Sequence, residues 1–261
     1  MLARVNDTMI NYEIEGEAGA PVVTFCHSLA TTLGMWELQM PALAGAYRAL
    51  RFDTRGHGRS SAPAGPYAMR VLADDVIGLL DFLKIQKTHF VGLSMGGMIG
   101  QVLGVKYPQR LEKLILCDTS ARVPPEMAPV WEERIGTVEK LGMSAVVPET
   151  LERWLSAEFR HNRPELTGRI RDMIVQTPVP GYVGCCRAIS GFDLLAELPE
   201  IKARTLIMVG ENDPGSPVGA AELMQKQVQG SELFVIPGAL HLSNVEAAET
   251  FNRKLVDFLE K

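Results

Sequence analysis

The chain has 261 residues, enough for one large domain or one domain carrying an inserted lid. Its 46% apolar residues can fill a sizeable core, while its net charge of −5 and lack of any basic run argue against nucleic acid or an anionic membrane as partner. No apolar run reaches membrane-span length and the N-terminus lacks a signal-peptide pattern, so a cytoplasmic protein is expected.

In chain order, "MINYEI", "VVTFCH", "YRALRFD", "THFVGL", "KLILCD", "TLIMVG" and "ELFVIP" read as strands. The middle ones are apolar on both faces, as a buried parallel sheet requires. Between them, "VLADDVIGLLDFL" spaces its apolar residues three and four apart and reads as an amphipathic helix. "MGGMIGQVLGVKYP" reads as a helix stopped before Pro108, and "NVEAAETFNRKLVDFLEK" as a closing C-terminal helix. Strands alternating with helices imply a doubly wound α/β fold with a mostly parallel sheet. The alternation breaks between Arg122 and Ser190, where the sequence is helix-like and holds several prolines. That stretch is too long for a loop, so we expect a helical cap at 122–190, inserted between core segments 1–121 and 191–261. Cys26, Cys117, Cys185 and Cys186 have no zinc-ligand spacing and read as small buried thiols.

"HFVGLSMGGMIGQ" places a serine among glycines between a strand and a helix. Gly92-Leu93-Ser94-Met95-Gly96 matches G-x-S-x-G in that context, the pattern of a nucleophile elbow. Side chains at 92 and 96 would collide with neighbouring backbone, hence the glycines. The helix N-terminus would aim the Met95 N–H at a developing oxyanion.

Serine is a weak nucleophile until a base takes its proton. The elbow architecture expects that base after a late strand, with a carboxylate between serine and histidine in chain order. His241 follows "ELFVIPGAL", and Asp213 follows "TLIMVGEN". Glu211 and Asp118 are the weaker carboxylate candidates: Glu211 is nearer its strand end, and Asp118 follows "KLILC". The expected triad is Ser94, Asp213 and His241. Among the other histidines, His89 opens the elbow strand, His161 lies exposed in the cap, and His57 belongs to a tight structural loop in "FDTRGHGRS". His27 opens "HSLATT" and is expected to shape that loop, which would supply the second oxyanion donor, the Leu29 N–H, beside that of Met95.

In "FDTRGHGRSSAP", "GLSMGGMIGQ", "GENDPGSP" and "GALHLSNVE" the chain resembles the α/β-hydrolases, and the resemblance covers essentially its whole length. Within them it is most similar to the 3-oxoadipate enol-lactonases of the β-ketoadipate pathway. That likeness lies in "HSLATTLGMWELQMPAL", "WEERIGTVEKLGM", "LERWLSAEFR", "GYVGCCRAISGFDL", "ENDP" and "HLSNVE". Those enzymes typically show "NSLGT" where this chain has His27 and Ala30. Related bacterial carboxylesterases share much of the pattern. The resemblance implies acyl transfer with no metal and no organic cofactor, on a small ester or lactone. It also implies a cation near the pocket for the substrate's side carboxylate. The cap offers Arg134, Arg153, Arg160, Arg163 and Arg187. Arg134 follows Trp131 by three residues on one helical stretch, so both can face the pocket. Trp154 is a further candidate there, although both tryptophans fit cap packing as well.

Rival readings are a general carboxylesterase, a cofactor-free perhydrolase side activity, a carbon–carbon bond hydrolase, and a ligand receptor that has lost catalysis. Haloalkane dehalogenases and epoxide hydrolases need aspartate at the elbow, against Ser94. Self-association as a homo-oligomer is left open.

Overall fold

The computed structural model describes residues 1–261. Its strands are β1 (Leu2–Val5), β2 (Thr8–Glu15), β3 (Val22–Cys26), β4 (Arg48–Phe52), β5 (Thr88–Leu93), β6 (Leu111–Cys117), β7 (Arg204–Gly210) and β8 (Glu232–Ile236). They form one eight-stranded sheet in the order β1-β2-β4-β3-β5-β6-β7-β8. β1 and β2 are antiparallel to their neighbours, and every pairing from β4 through β8 is parallel.

The helices are α1 (Met40–Leu43), α2 (Met69–Phe82), α3 (Met95–Lys106), α4 (Ala128–Leu141), α5 (Val147–Trp154), α6 (Ala157–Asn162), α7 (Pro164–Gln176), α8 (Val179–Ser190), α9 (Val218–Gln227), α10 (Ser243–Glu246) and α11 (Ala248–Glu260). None is long and apolar enough to cross a membrane.

The parallel strands at the centre are covered on both faces, which is why "FVGL" and "LILC" are buried throughout. β8 is an edge strand and is only partly buried. α2 buries Leu72, Ala73, Val76, Leu79 and Leu80, an apolar stripe at helical spacing. α11 does the same with Phe251, Leu255, Phe258 and Leu259. α3 differs, being buried from Met95 to Gly104, because it runs under the centre of the molecule.

All seven strands read from the sequence are present. β1 is additional: "LARV" is short and alternates exposed with buried residues at the sheet edge. The closing helix is also divided, with Ala247 at φ −121° and ψ 45° separating α10 from α11. Between β6 and β7 run only α4 to α8 and short helical turns. The two ends of this helical segment are stitched together: Arg122 bridges Asp193, and Leu194 N–H donates to Ala121 O at 2.8 Å. All four cysteines are free and buried.

Candidate active site

Ser94, Asp213, His241 and Leu29 each sit just past the carboxyl end of a parallel strand, where open α/β sheets gather their ligand sites. Ser94 follows β5 at φ 55° and ψ −113°, a left-handed conformation that a non-glycine residue holds only when its surroundings enforce it. Those surroundings are visible. A Cβ on Gly92 would lie 2.1 Å from Gly96 O, and one on Gly96 would lie 2.1 Å from Cys26 O. The turn can therefore close only with glycine at both places, and it lifts Ser94 to the floor of a cavity.

The cavity has a volume of about 460 Å³. Its lower wall holds Leu29, Ser94 and His241, and its upper wall holds Trp131, Arg134 and Trp154 from α4 and α5. Most of the remaining lining is apolar. Asp213 lies behind His241, buried, with its Oδ2 2.8 Å from His241 Nδ1. Its other oxygen accepts the N–H groups of Gly215 and Ser216 at 2.8 and 3.1 Å, which fixes the carboxylate. The Nδ1–H tautomer leaves Nε2 as the acceptor required of a base. Burial works against a charged imidazole. The charge and hydrogen bond of Asp213, with the charge of Asp118 adding to them, outweigh it and hold the His241 pKa above the ordinary value.

The other two carboxylates are engaged elsewhere. Glu211 accepts the Gly238 N–H at 2.8 Å at the surface. Asp118 is fully buried and accepts Gly210 N–H at 2.8 Å and Ser243 O–H at 2.5 Å. It thus ties the end of β7 to the loop carrying His241. Burial, and then the neighbouring Asp213 charge, push its carboxyl well above the usual carboxylate range.

Opposite Ser94, the loop after β3 presents Leu29. The Leu29 N–H has no protein acceptor, while the next N–H, that of Ala30, donates to His57 Nε2 at 2.9 Å. Ala30 has φ 59°, so this bond pins a left-handed residue directly after Leu29. Met95, the first residue of α3, has an N–H with no intrahelical acceptor. His27 accepts the Thr54 N–H at 2.9 Å through Nε2, and its Nδ1–H donates to Ser28 O at 2.7 Å. Both histidines are fully buried and accept from backbone donors, so both must be neutral. Burial lowers His27 to about 4; burial, with the neighbouring His27, lowers His57 to about 3. The supporting role of His57 was not readable in sequence, because residues 30 and 57 meet only after β4 is laid beside β3.

The arginines divide. Arg134 and Arg153 line the cavity, and Arg160, Arg163 and Arg187 do not. The Arg134 guanidinium stacks 4.9 Å from the Trp131 ring centroid, so the two do share a face. Arg153 pairs with Glu149 at 2.5 Å, and Arg134 approaches the same oxygen at 3.9 Å. Trp154 stacks on His241, with ring centroids 6.2 Å apart and planes 29° apart. His161 is exposed at the surface.

Residues 21–248 match the family model of the alpha/beta hydrolase fold, and the chain belongs to that family. It is 35% identical over 246 residues to 3-oxoadipate enol-lactonase 2 of Acinetobacter baylyi, covering 94% of this chain and 91% of that protein. Among solved structures, the enol-lactonase from Burkholderia xenovorans superposes with a TM-score of 0.96 at 39% identity, covering 100% of both chains. A thermophilic esterase from Thermogutta terrifontis, solved with malate bound, superposes with a TM-score of 0.93 at 30% identity, covering 100% of this chain and 98% of the other.

Proposed function

We propose that this chain is a serine hydrolase that opens a carboxylate-bearing enol-lactone, of the 3-oxoadipate enol-lactone kind, through an acyl-enzyme. The observation that carries the reading is the buried Asp213–His241 pair facing the one cavity that also holds the strained Ser94. Ser94 Oγ attacks the lactone carbonyl while His241 Nε2 takes its proton. The carbonyl oxygen becomes an oxyanion between the Leu29 and Met95 N–H groups. As the ring C–O bond breaks, His241 returns the proton to the departing enol oxygen. A water then gives its proton to His241 and attacks the acyl carbon. The acid is released and the proton goes back to Ser94. Asp213 holds the imidazole in its tautomer throughout. No step calls for a metal or an organic cofactor. The helical segment acts as a cap, with Arg134 and Arg153 as the cationic wall and Trp131 and Trp154 as its flat faces.

A carboxylesterase acting on short neutral esters is the second reading, favoured by the apolar majority of the cavity lining. Arg134→Ala separates the two. A charge-assisted contact to a bound anion contributes roughly 1.5–3 kcal/mol, so kcat/KM for a carboxylate-bearing lactone should fall about 10- to 150-fold. A neutral ester of similar size should be turned over nearly as before. Equal losses on both substrates, or no loss on either, would remove the carboxylate role and favour the esterase.

A further inference from the structure

The loop carrying His241 is tied to the helical segment at the junction of α5 and α6. Leu242 N–H donates to Trp154 O at 3.1 Å, and the Trp154 ring lies over the imidazole. A third tie runs through one side chain. Glu246, at the end of α10, accepts Leu240 N–H on Oε2 at 2.6 Å and Ser156 N–H on Oε1 at 2.8 Å. We propose that Glu246 is a positioning residue, which sets the His241 ring by pinning the loop before it to the α5–α6 junction. This rests on the reading of His241 as the base.

Three features single Glu246 out. Both its oxygens are used, each on a backbone donor, and the donors come from opposite sides of the junction. Leu240 directly precedes His241, so the bond fixes the Ala239–Leu240 peptide, one residue before the one that carries the ring. The other bonds on this side of the loop, Asn212 N–H to Ala239 O and Gly238 N–H to Glu211, hold its far end and leave Leu240 to Glu246. Only a carboxylate serves both donors. A glutamine would satisfy one N–H and turn its own amide hydrogens toward the other.

The pair can be cut from either side. Glu246→Gln alters the acceptor. Ser156→Pro deletes the donor while leaving Glu246 in place; it also removes the Ser156 Oγ cap on Phe159 N–H, so it is read against Ser156→Ala, which loses that cap and keeps the donor. Ser156 has φ −60°, which suits proline, and Leu155 at φ −137° and ψ 133° is in the extended region that precedes proline. Glu246→Gln and Ser156→Pro should each lower kcat on a chromogenic aryl ester about 10- to 100-fold with KM changed less than about threefold, since small misplacements of a reacting group carry losses of that size. The low-field proton resonance of the His241–Asp213 hydrogen bond should shift or broaden in both. Arg169→Ala is the control. It removes a different tie of the helical segment to the core, the exposed pair with Glu37 at 2.8 Å, and should leave rate and resonance unchanged. Wild-type kcat and resonance in Glu246→Gln would overturn the proposal. So would an equal loss in Arg169→Ala, which would mean that any anchor of the segment matters alike. A Ser94→Ala protein that stayed active would remove the base reading itself and this proposal with it. Glu246→Gln behaving as wild type beside an inactive Ser94→Ala would remove the proposal alone.

Discussion

The proposed triad residues Ser94, Asp213 and His241 were legible as single residues because each follows a recognisable strand, and strand ends are what the sheet gathers. Asp118 met that test equally well. The structure separates the two carboxylates by what they touch: Asp213 faces His241 Nδ1, whereas Asp118 faces Gly210 and Ser243. Asp213→Asn should therefore keep the geometry but favour the wrong tautomer, lowering kcat by up to about 10⁴-fold. Asp118→Asn can still accept from Gly210 and donate to Ser243, and should cost far less. Steady-state rates of the two variants on one aryl ester check this, and the reverse ranking would move the acid to Asp118. The pH profile belongs with it. As the proposed base, His241 works only when neutral, and its pKa is raised above the ordinary 6.5. The acidic limb of kcat/KM in the wild type should lie above that value, with activity rising through it.

At the scale of elements, the elbow was legible because a short motif sat between a clear strand and a clear helix. The proposed oxyanion loop was only half legible. Its place after β3 could be read, but the bond that shapes it comes from His57, on another loop across the sheet. This arrangement makes stability depend on pH. The folded pKa values of His27 and His57, about 4 and about 3, lie below the ordinary 6.5. Between those limits the unfolded chain binds more protons than the folded one. The contribution is therefore complete above about pH 6.5 and is lost as pH falls toward the folded values, at up to about 1.4 kcal/mol per pH unit for each histidine. His57→Gln keeps an acceptor for Ala30 and cannot titrate. Urea unfolding at about pH 7 and pH 5 should show the wild type losing about 2 kcal/mol more than this variant over that interval. Parallel losses would mean that His57 is not held neutral.

For the whole molecule, the order of strands and helices follows from hydrophobic periodicity, since a parallel sheet covered on both faces needs long apolar runs. β1 escaped because an edge strand of four residues buries only half its side chains. The helical segment's place as a cap could be read, but the contacts that seat it could not. Trp154 reaches His241, and Arg153 joins Arg134 in the cavity wall, only because α5 docks against the base loop. Such contacts join residues far apart in the chain and leave no periodic trace. The proposed reaction requires Ser94 to form a covalent acyl bond. The most direct measurement is intact-mass and peptide-mass analysis of the protein quenched milliseconds after mixing with a chromogenic aryl ester. It should find the acyl group on the peptide containing Ser94, with a burst of about one leaving group per chain, and neither in Ser94→Ala, whose turnover should fall about 10⁴-fold or more. A Ser94→Ala protein with more than a tenth of wild-type turnover, or an acyl group on another residue, would contradict it.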